Sequence, residues 1–216
     1  MNKFCDLKAV IWDMDGVIVD SGPHHFQSWH NTLDQYSLNV SGAQLSWMFG
    51  MTSPEVVRIL FGAGVKEEFV SQLCEEKELL FRAAIKESAA YLPGVERWLS
   101  AFKQAGIRQA LAASGSQENI DTVLDALGTR PFLDKVVSGK NLTPWFSCWR
   151  RSGWARSLSP SFVIEDAIAG VTGAKAAGMK CFPVTTTNSL LDLSNADVIL
   201  ENLESLSGST LRTLFP

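Results

Sequence analysis

The chain has 216 residues, 46% of them apolar and 19% charged, which suits one sizeable domain or a core with a small second module. Its net charge of −4 argues against nucleic acid or an anionic membrane surface as partner, yet leaves room for a small anionic substrate met by a metal ion or a local Lys. Cys5, Cys74, Cys148 and Cys181 show neither metal-ligand nor redox spacing, and the apolar N-terminal run is broken by Asp13 and Asp15, so a reducing, cytoplasmic protein without signal peptide or membrane span is expected.

In chain order, LKAVIWD (7–13) is a nearly continuous apolar run, the pattern of a strand buried on both faces of a parallel sheet. Residues 107–114, 135–138, 161–166, 179–185 and 197–200 repeat that pattern. Helical patterns separate several of them, at 94–106, 116–128 and 167–178. In the second, Ile120, Val123, Leu124 and Leu127 share one face, and Gly128 is a natural stop. This alternation implies an α/β fold with a doubly wound, Rossmann-like parallel sheet. Residues 18–90 read differently, with helical spacing and almost no strand signal. Ser53 is the expected N-cap before Pro54, and 66–90 forms one long amphipathic pattern. The expected organisation is a catalytic core of 1–17 and 91–216 with an inserted helical cap at 18–90.

Asp13 and Asp15 fall where the first strand ends, with Gly16 next. Strand C-termini of a doubly wound sheet form its ligand crevice. Two carboxylates at that spacing on an extended chain point the same way and need a cation or a shared proton, unless they are merely a polar strand end. ALAASGS (110–116) ends another strand in Ser114 and Gly115 before a helix, where a hydroxyl and backbone N–H groups suit an anionic oxygen. Ser114 or Ser116 as a plain N-cap is the alternative. VIEDAIAGV (163–171) ends a third strand in Glu165 and Asp166. Carboxylates grouped at one sheet edge can hold Mg²⁺, a hard cation that prefers oxygen ligands.

On VIWDMDGVIVDS, HFQSW, LPGVERWL, LAASGSQENID and VIEDAIAGVTGAKAAGM, the chain resembles the haloacid dehalogenase-like (HAD) hydrolase superfamily, in the group with β-phosphoglucomutase-like and phosphoglycolate-phosphatase-like members. The resemblance spans nearly the whole chain. It implies that Asp13 is a nucleophile forming an aspartyl-phosphate and that Asp15 is the general acid/base. It implies Mg²⁺ bound by Asp13, the Asp15 backbone carbonyl and Asp166, with Glu165 nearby. Ser114 and the Gly115 N–H would hold the phosphoryl group, with Gly16 and His25 also on the substrate side, and the inserted helices would close over the substrate. His25 and Trp29 match family positions, and a hinge-packing histidine is the alternative for His25. Where mutase-like members place a phosphate-gripping Arg, this chain has Ser53 and Pro54, which favours hydrolysis; Arg58 could substitute if it faces the site. The implied reaction is hydrolysis of a small phosphorylated metabolite, such as a sugar phosphate, by a monomer or weak dimer. A sugar phosphomutase is the alternative.

The family's GKPxPDxF pattern meets SGKNLTPWFSCWRRSGWARSLSP (138–160) only at Gly139, Lys140 and Phe146. Lys140 is the candidate phosphate-side Lys; a solvated surface Lys is the alternative. Permitted codons for the segment, read in a shifted frame, give KPDPLVFLL, the missing pattern, and the original frame has returned by VIEDA. Residues from about 141 to 159 are therefore expected to be translated out of frame, with a functional Trp/Arg patch as the competing reading. A catalytically impaired relic would be the functional consequence.

Overall fold

Val10, Ile11 and Trp12 have no exposed surface because β1 (Ala9–Trp12) runs through the middle of a five-stranded sheet. The computed structural model describes residues 6–38, 40–42, 44, 51–139, 159–189, 193 and 196–216. The other strands are β2 (Arg108–Ala113), β3 (Lys135–Ser138), β4 (Ser161–Glu165) and β5 (Lys180–Pro183). Their order is β3-β2-β1-β4-β5, and every neighbouring pair is parallel. The chain builds outward from β1 to β3 and then crosses to β4. The β1/β4 boundary is thus the switch point, where ligands bind in sheets of this kind.

Side chains alternate across the sheet. Ile11, Ala110, Ala112, Val163 and Cys181 share a core with Val171 and Ala174 of helix α6 (Ile168–Ala176). Trp12, Phe162 and Phe182 belong to an aromatic core with Phe102 of α4 (Val95–Gln104) and with Phe215, just past α7 (Gly208–Leu214). Helix α5 (Gln117–Leu127) buries Ile120, Val123 and Leu124 and stops at Gly128 with φ +66°, the left-handed conformation expected there. Gly94 begins α4 at φ +84°, and a Cβ there would lie 2.5 Å from the Leu203 carbonyl carbon, so the position demands glycine.

Two compact units result: Met1–Asp20 with Ala90–Pro216, and Ser21–Ala89 inserted between them. The second is helical, with α1 (Gly22–Gln35), α2 (Ser53–Phe61) and α3 (Glu67–Ser88) enclosing Trp29, Leu33, Val56, Val57, Val70 and Leu73.

Two expectations need correction. Residues 197–200 are not a strand: only Leu200 forms a bridge, to Val184, while Asp197 turns its carboxylate to the Cys181 N–H and to Lys175. The N-cap of α2 is Thr52, not Ser53, because Thr52 and Glu55 form a reciprocal capping box. Ser53 instead donates its hydroxyl to Glu78 at 2.7 Å. Apart from Ser159, the segment 141–159 lies outside the described residues, as does Lys140.

Candidate active site

The N–H of Asp13 donates to the Ile164 carbonyl at 3.0 Å, which carries the β1–β4 ladder one residue past the strand and sets Asp13 beside Glu165. One carboxylate oxygen from each of Asp13, Glu165 and Asp166 lies within 4.8 Å of the others. The turn after Asp13 is tied by its own backbone: Ile18 and Val19 N–H groups donate to the Met14 carbonyl, and the Gly16 N–H donates to Val19. Gly16 has φ +77°, and a Cβ on it would run into the Asp166 carboxylate. Glycine here serves both the turn and the close approach of the β1 loop to the β4 end.

Glu165 is buried and folds back on its own chain, Oε2 accepting from the N–H groups of Asp166 and Ala167 at 2.6 Å each. Gly170 of α6 makes room for that carboxylate. Burial raises Glu165 to about 8, even though these two N–H groups favour the charged form. Asp166 rises to about 6 through burial, with the Thr187 hydrogen bond opposing and the Asp15 charge adding. Asp13 is raised well above the usual range, first because its carboxyl is desolvated, then by the charges of Glu165, Asp166 and Asp15. Four acids therefore share one electrostatic neighbourhood at the switch point. Oxygen donors that resist ionisation for want of positive charge fit a hard divalent cation.

Ser114 and Gly115 follow β2, and Ser114 is exposed. Ser116, not Ser114, is the N-cap of α5, its hydroxyl accepting from the Asn119 N–H at 3.2 Å, so Ser114 is not committed to capping. The register of β2 with β3 sets Ser114 beside Gly139, where a Cβ would lie 2.6 Å from the Ser114 Cα. Ser138 donates its hydroxyl to the Gly115 carbonyl at 2.9 Å and so ties the two strand ends. His25 belongs to the helical unit, where its Nδ1 meets Lys77 Nζ at 2.8 Å. Arg58 is engaged by both carboxylate oxygens of Glu67, at 2.7 and 2.8 Å.

A family profile described as haloacid dehalogenase-like hydrolase matches residues 10–184, most of the chain and both edges of the acid cluster. The chain belongs to that family. This haloacid dehalogenase-like hydrolase is 30% identical over 183 residues to a phosphorylated carbohydrates phosphatase of Thermotoga maritima, covering 81% of this chain and 83% of that one. It is 26% identical to the β-phosphoglucomutase of Bacillus subtilis, covering 93% and 92%. Among solved structures, a family IA, variant 3 HAD hydrolase of Entamoeba histolytica shares the fold at TM-score 0.86 and 18% identity, covering 96% of this chain and 99% of that one.

Sequence reasoning missed four residues, three of them at the strand ends and one inside the helical unit. Thr187 and Asn188 follow β5 and reach Asp166; the polar run TTTNS at a strand C-terminus was the available signal. Ser138 ends β3 in the same way. Lys77 is buried within a Glu- and Lys-rich helix, and nothing local distinguishes it from its exposed neighbours.

Proposed function

We propose that this HAD-like hydrolase is a Mg²⁺-dependent, cytoplasmic phosphatase of a small phosphorylated metabolite, a sugar phosphate or similar, acting through an aspartyl-phosphate on Asp13. The observation that carries this reading is the grouping of Asp13, Glu165 and Asp166 within 4.8 Å at the β1/β4 switch point. The name of the Thermotoga maritima relative supports the substrate class. On this reading residues 1–17 and 91–216 are the catalytic core, and 18–90 is the cap that selects the substrate.

In the first half-reaction an Asp13 oxygen attacks phosphorus, the bond from phosphorus to the ester oxygen breaks, and Asp15 gives its proton to the departing alcohol. In the second, Asp15 takes a proton from water, the hydroxyl attacks phosphorus, and the acyl phosphate opens to free phosphate and the Asp13 carboxylate. Mg²⁺, held by Asp13, the Asp15 backbone carbonyl and Asp166 with Glu165 alongside, would supply positive charge against the repulsion between carboxylate and phosphate dianion. Ser114 and the Gly115 N–H grip the phosphoryl oxygens beside Gly16, and Lys140 adds the second cation. His25 shapes the substrate side.

A sugar phosphomutase is the second reading, favoured by the similarity to the Bacillus subtilis enzyme. Against it, Arg58 is held by Glu67, so that Arg is not in reserve for a second phosphate. The test is phosphate release from a panel of sugar and glycolytic phosphates, with MgCl₂ or EDTA, for wild type and Asp13→Asn. Mg²⁺-dependent release that Asp13→Asn abolishes is expected. Transfer within a hexose phosphate with little free phosphate identifies the mutase. No turnover by folded wild type identifies an impaired relic, and release surviving in Asp13→Asn removes Asp13 as nucleophile.

A further inference from the structure

The loop after β5 places two side chains on Asp166 from opposite ends of that residue. Thr187 donates its hydroxyl to Asp166 Oδ2, and Asn188 donates its amide to the Asp166 carbonyl at 2.9 Å. The Asp166 N–H is itself held by Glu165 at 2.6 Å. Both main-chain groups and one carboxylate oxygen of Asp166 are thus committed. Thr187 also faces the Asp13–Gly16 turn: a Cβ on Gly16 would lie 3.0 Å from Thr187 Oγ1 and would run into Asp166 Oδ2. So Oδ2 is pinned between the Thr187 hydroxyl and the β1 loop, and Oδ1 is the oxygen Thr187 leaves for a cation.

The geometry points to Thr187 and Asn188 as positioning residues that restrict Asp166 to one-oxygen ligation and so bias the site toward Mg²⁺ over Ca²⁺. This rests on the metal-site reading given above. Mg²⁺ demands compact octahedral geometry and takes carboxylates one oxygen at a time, while Ca²⁺ accepts more oxygens and readily takes a carboxylate by both. A hydroxyl bonded to one carboxylate oxygen hinders the two-oxygen mode and leaves the one-oxygen mode intact. Asn188 fixes the backbone that carries the carboxylate, while the Thr187 bond to Oδ2 restrains its rotation.

Isothermal titration of the full chain with MgCl₂ and with CaCl₂ tests this without relying on turnover. Thr187→Val keeps the volume and removes the donor, and Thr187→Ser restores it. The expected result is Ca²⁺ affinity about 10-fold tighter in Thr187→Val, with Mg²⁺ affinity changed by less than about 3-fold, and the wild-type preference recovered in Thr187→Ser. An unchanged preference in Thr187→Val, or Thr187→Ser behaving like Thr187→Val, overturns the inference. Should Thr187→Val fail to fold by circular dichroism, Thr187→Ala takes its place in the same comparison. Asp166→Asn separates the two levels. Wild type that binds neither cation sinks the metal site and this inference with it. Binding lost in Asp166→Asn but unaltered at Thr187 sinks this inference alone.

Discussion

Lys77 holds its Nζ 2.8 Å from Nδ1 of His25, inside the helical unit. An ammonium has donors only, so Nδ1 must accept and the ring is neutral. The ring stacks on Phe81, centroids 3.9 Å apart and planes 5° from parallel. Burial, then the Lys77 charge, lowers His25 from 6.5 to about 3, with Glu78 opposing. Between those values the unfolded chain binds a proton at His25 that the folded chain does not. The stability this residue contributes is therefore full above 6.5 and falls as pH drops toward 3. Wild type should lose about 1–2 kcal/mol more than His25→Asn on going from pH 8 to pH 5. Urea unfolding of both proteins at the two pH values measures the difference, and equal losses would show that His25 is not held neutral.

Lys77 itself is 2% exposed, 3.0 Å from Glu78, with its Nζ 5.5 and 5.2 Å from the ring centroids of Trp29 and Phe81. Removing one member of a buried charged pair leaves the other without compensation. Lys77→Ala should cost about 3 kcal/mol, and Lys77→Met distinctly less, because the apolar stem against the rings is kept. Denaturant midpoints for the two variants decide it; equal costs would place the loss in the charge rather than the packing.

These features differ in how far the chain's own letters disclose them. Asp13, Glu165 and Asp166 were legible because each follows an apolar run, and parallel strands deliver their C-terminal residues to one edge. Register then does the rest, since Asp13 extends the β1–β4 ladder beside Glu165. Lys77 was not legible. It sits in EEKELL, which reads as a solvated helix face, and only the packing of α1 on α3 buries it. Thr52 and Ser53 are both good caps by composition; the Glu three residues beyond Thr52 was the deciding signal. Residues 197–200 carry strand-like letters, yet Asp197 is drawn to Lys175 and the Cys181 N–H, and one bridge is all that remains.

The acid cluster sets a pH dependence of the opposite sign. Glu165, at about 8, and Asp13, raised well above its usual value, hold protons in the folded chain at pH values where the unfolded chain has lost them. Their contribution is full below the unfolded values and is lost as pH rises through the folded ones. In EDTA, the melting temperature of wild type should fall between pH 7 and pH 9, a window above the His25 transition. Asp13→Asn, with one charge fewer to accommodate, should fall less. Adding MgCl₂ should raise wild type at pH 9 more than Asp13→Asn, since binding to the folded state alone stabilises it. Thermal melts under the four conditions test both points, and a wild-type melting temperature indifferent to pH and to Mg²⁺ would contradict them.

Gly170 offers a sharper test because local preference and tertiary packing disagree there. It lies within α6, where alanine is favoured over glycine by about 1 kcal/mol on helix propensity alone. A Cβ at that position, however, would lie 2.7 Å from the Glu165 Cγ and would meet the carboxylate itself more closely still. Glu165 cannot retreat without giving up its hydrogen bonds to the N–H groups of Asp166 and Ala167. Gly170→Ala should therefore destabilise the protein by about 1–3 kcal/mol, in spite of the propensity gain. It should also weaken Mg²⁺ binding, because the displaced carboxylate is the one that braces Asp166. Urea unfolding with a parallel Mg²⁺ titration reads both effects. A variant as stable as wild type would mean that α6 stands farther from Glu165 than its Gly170 contact requires.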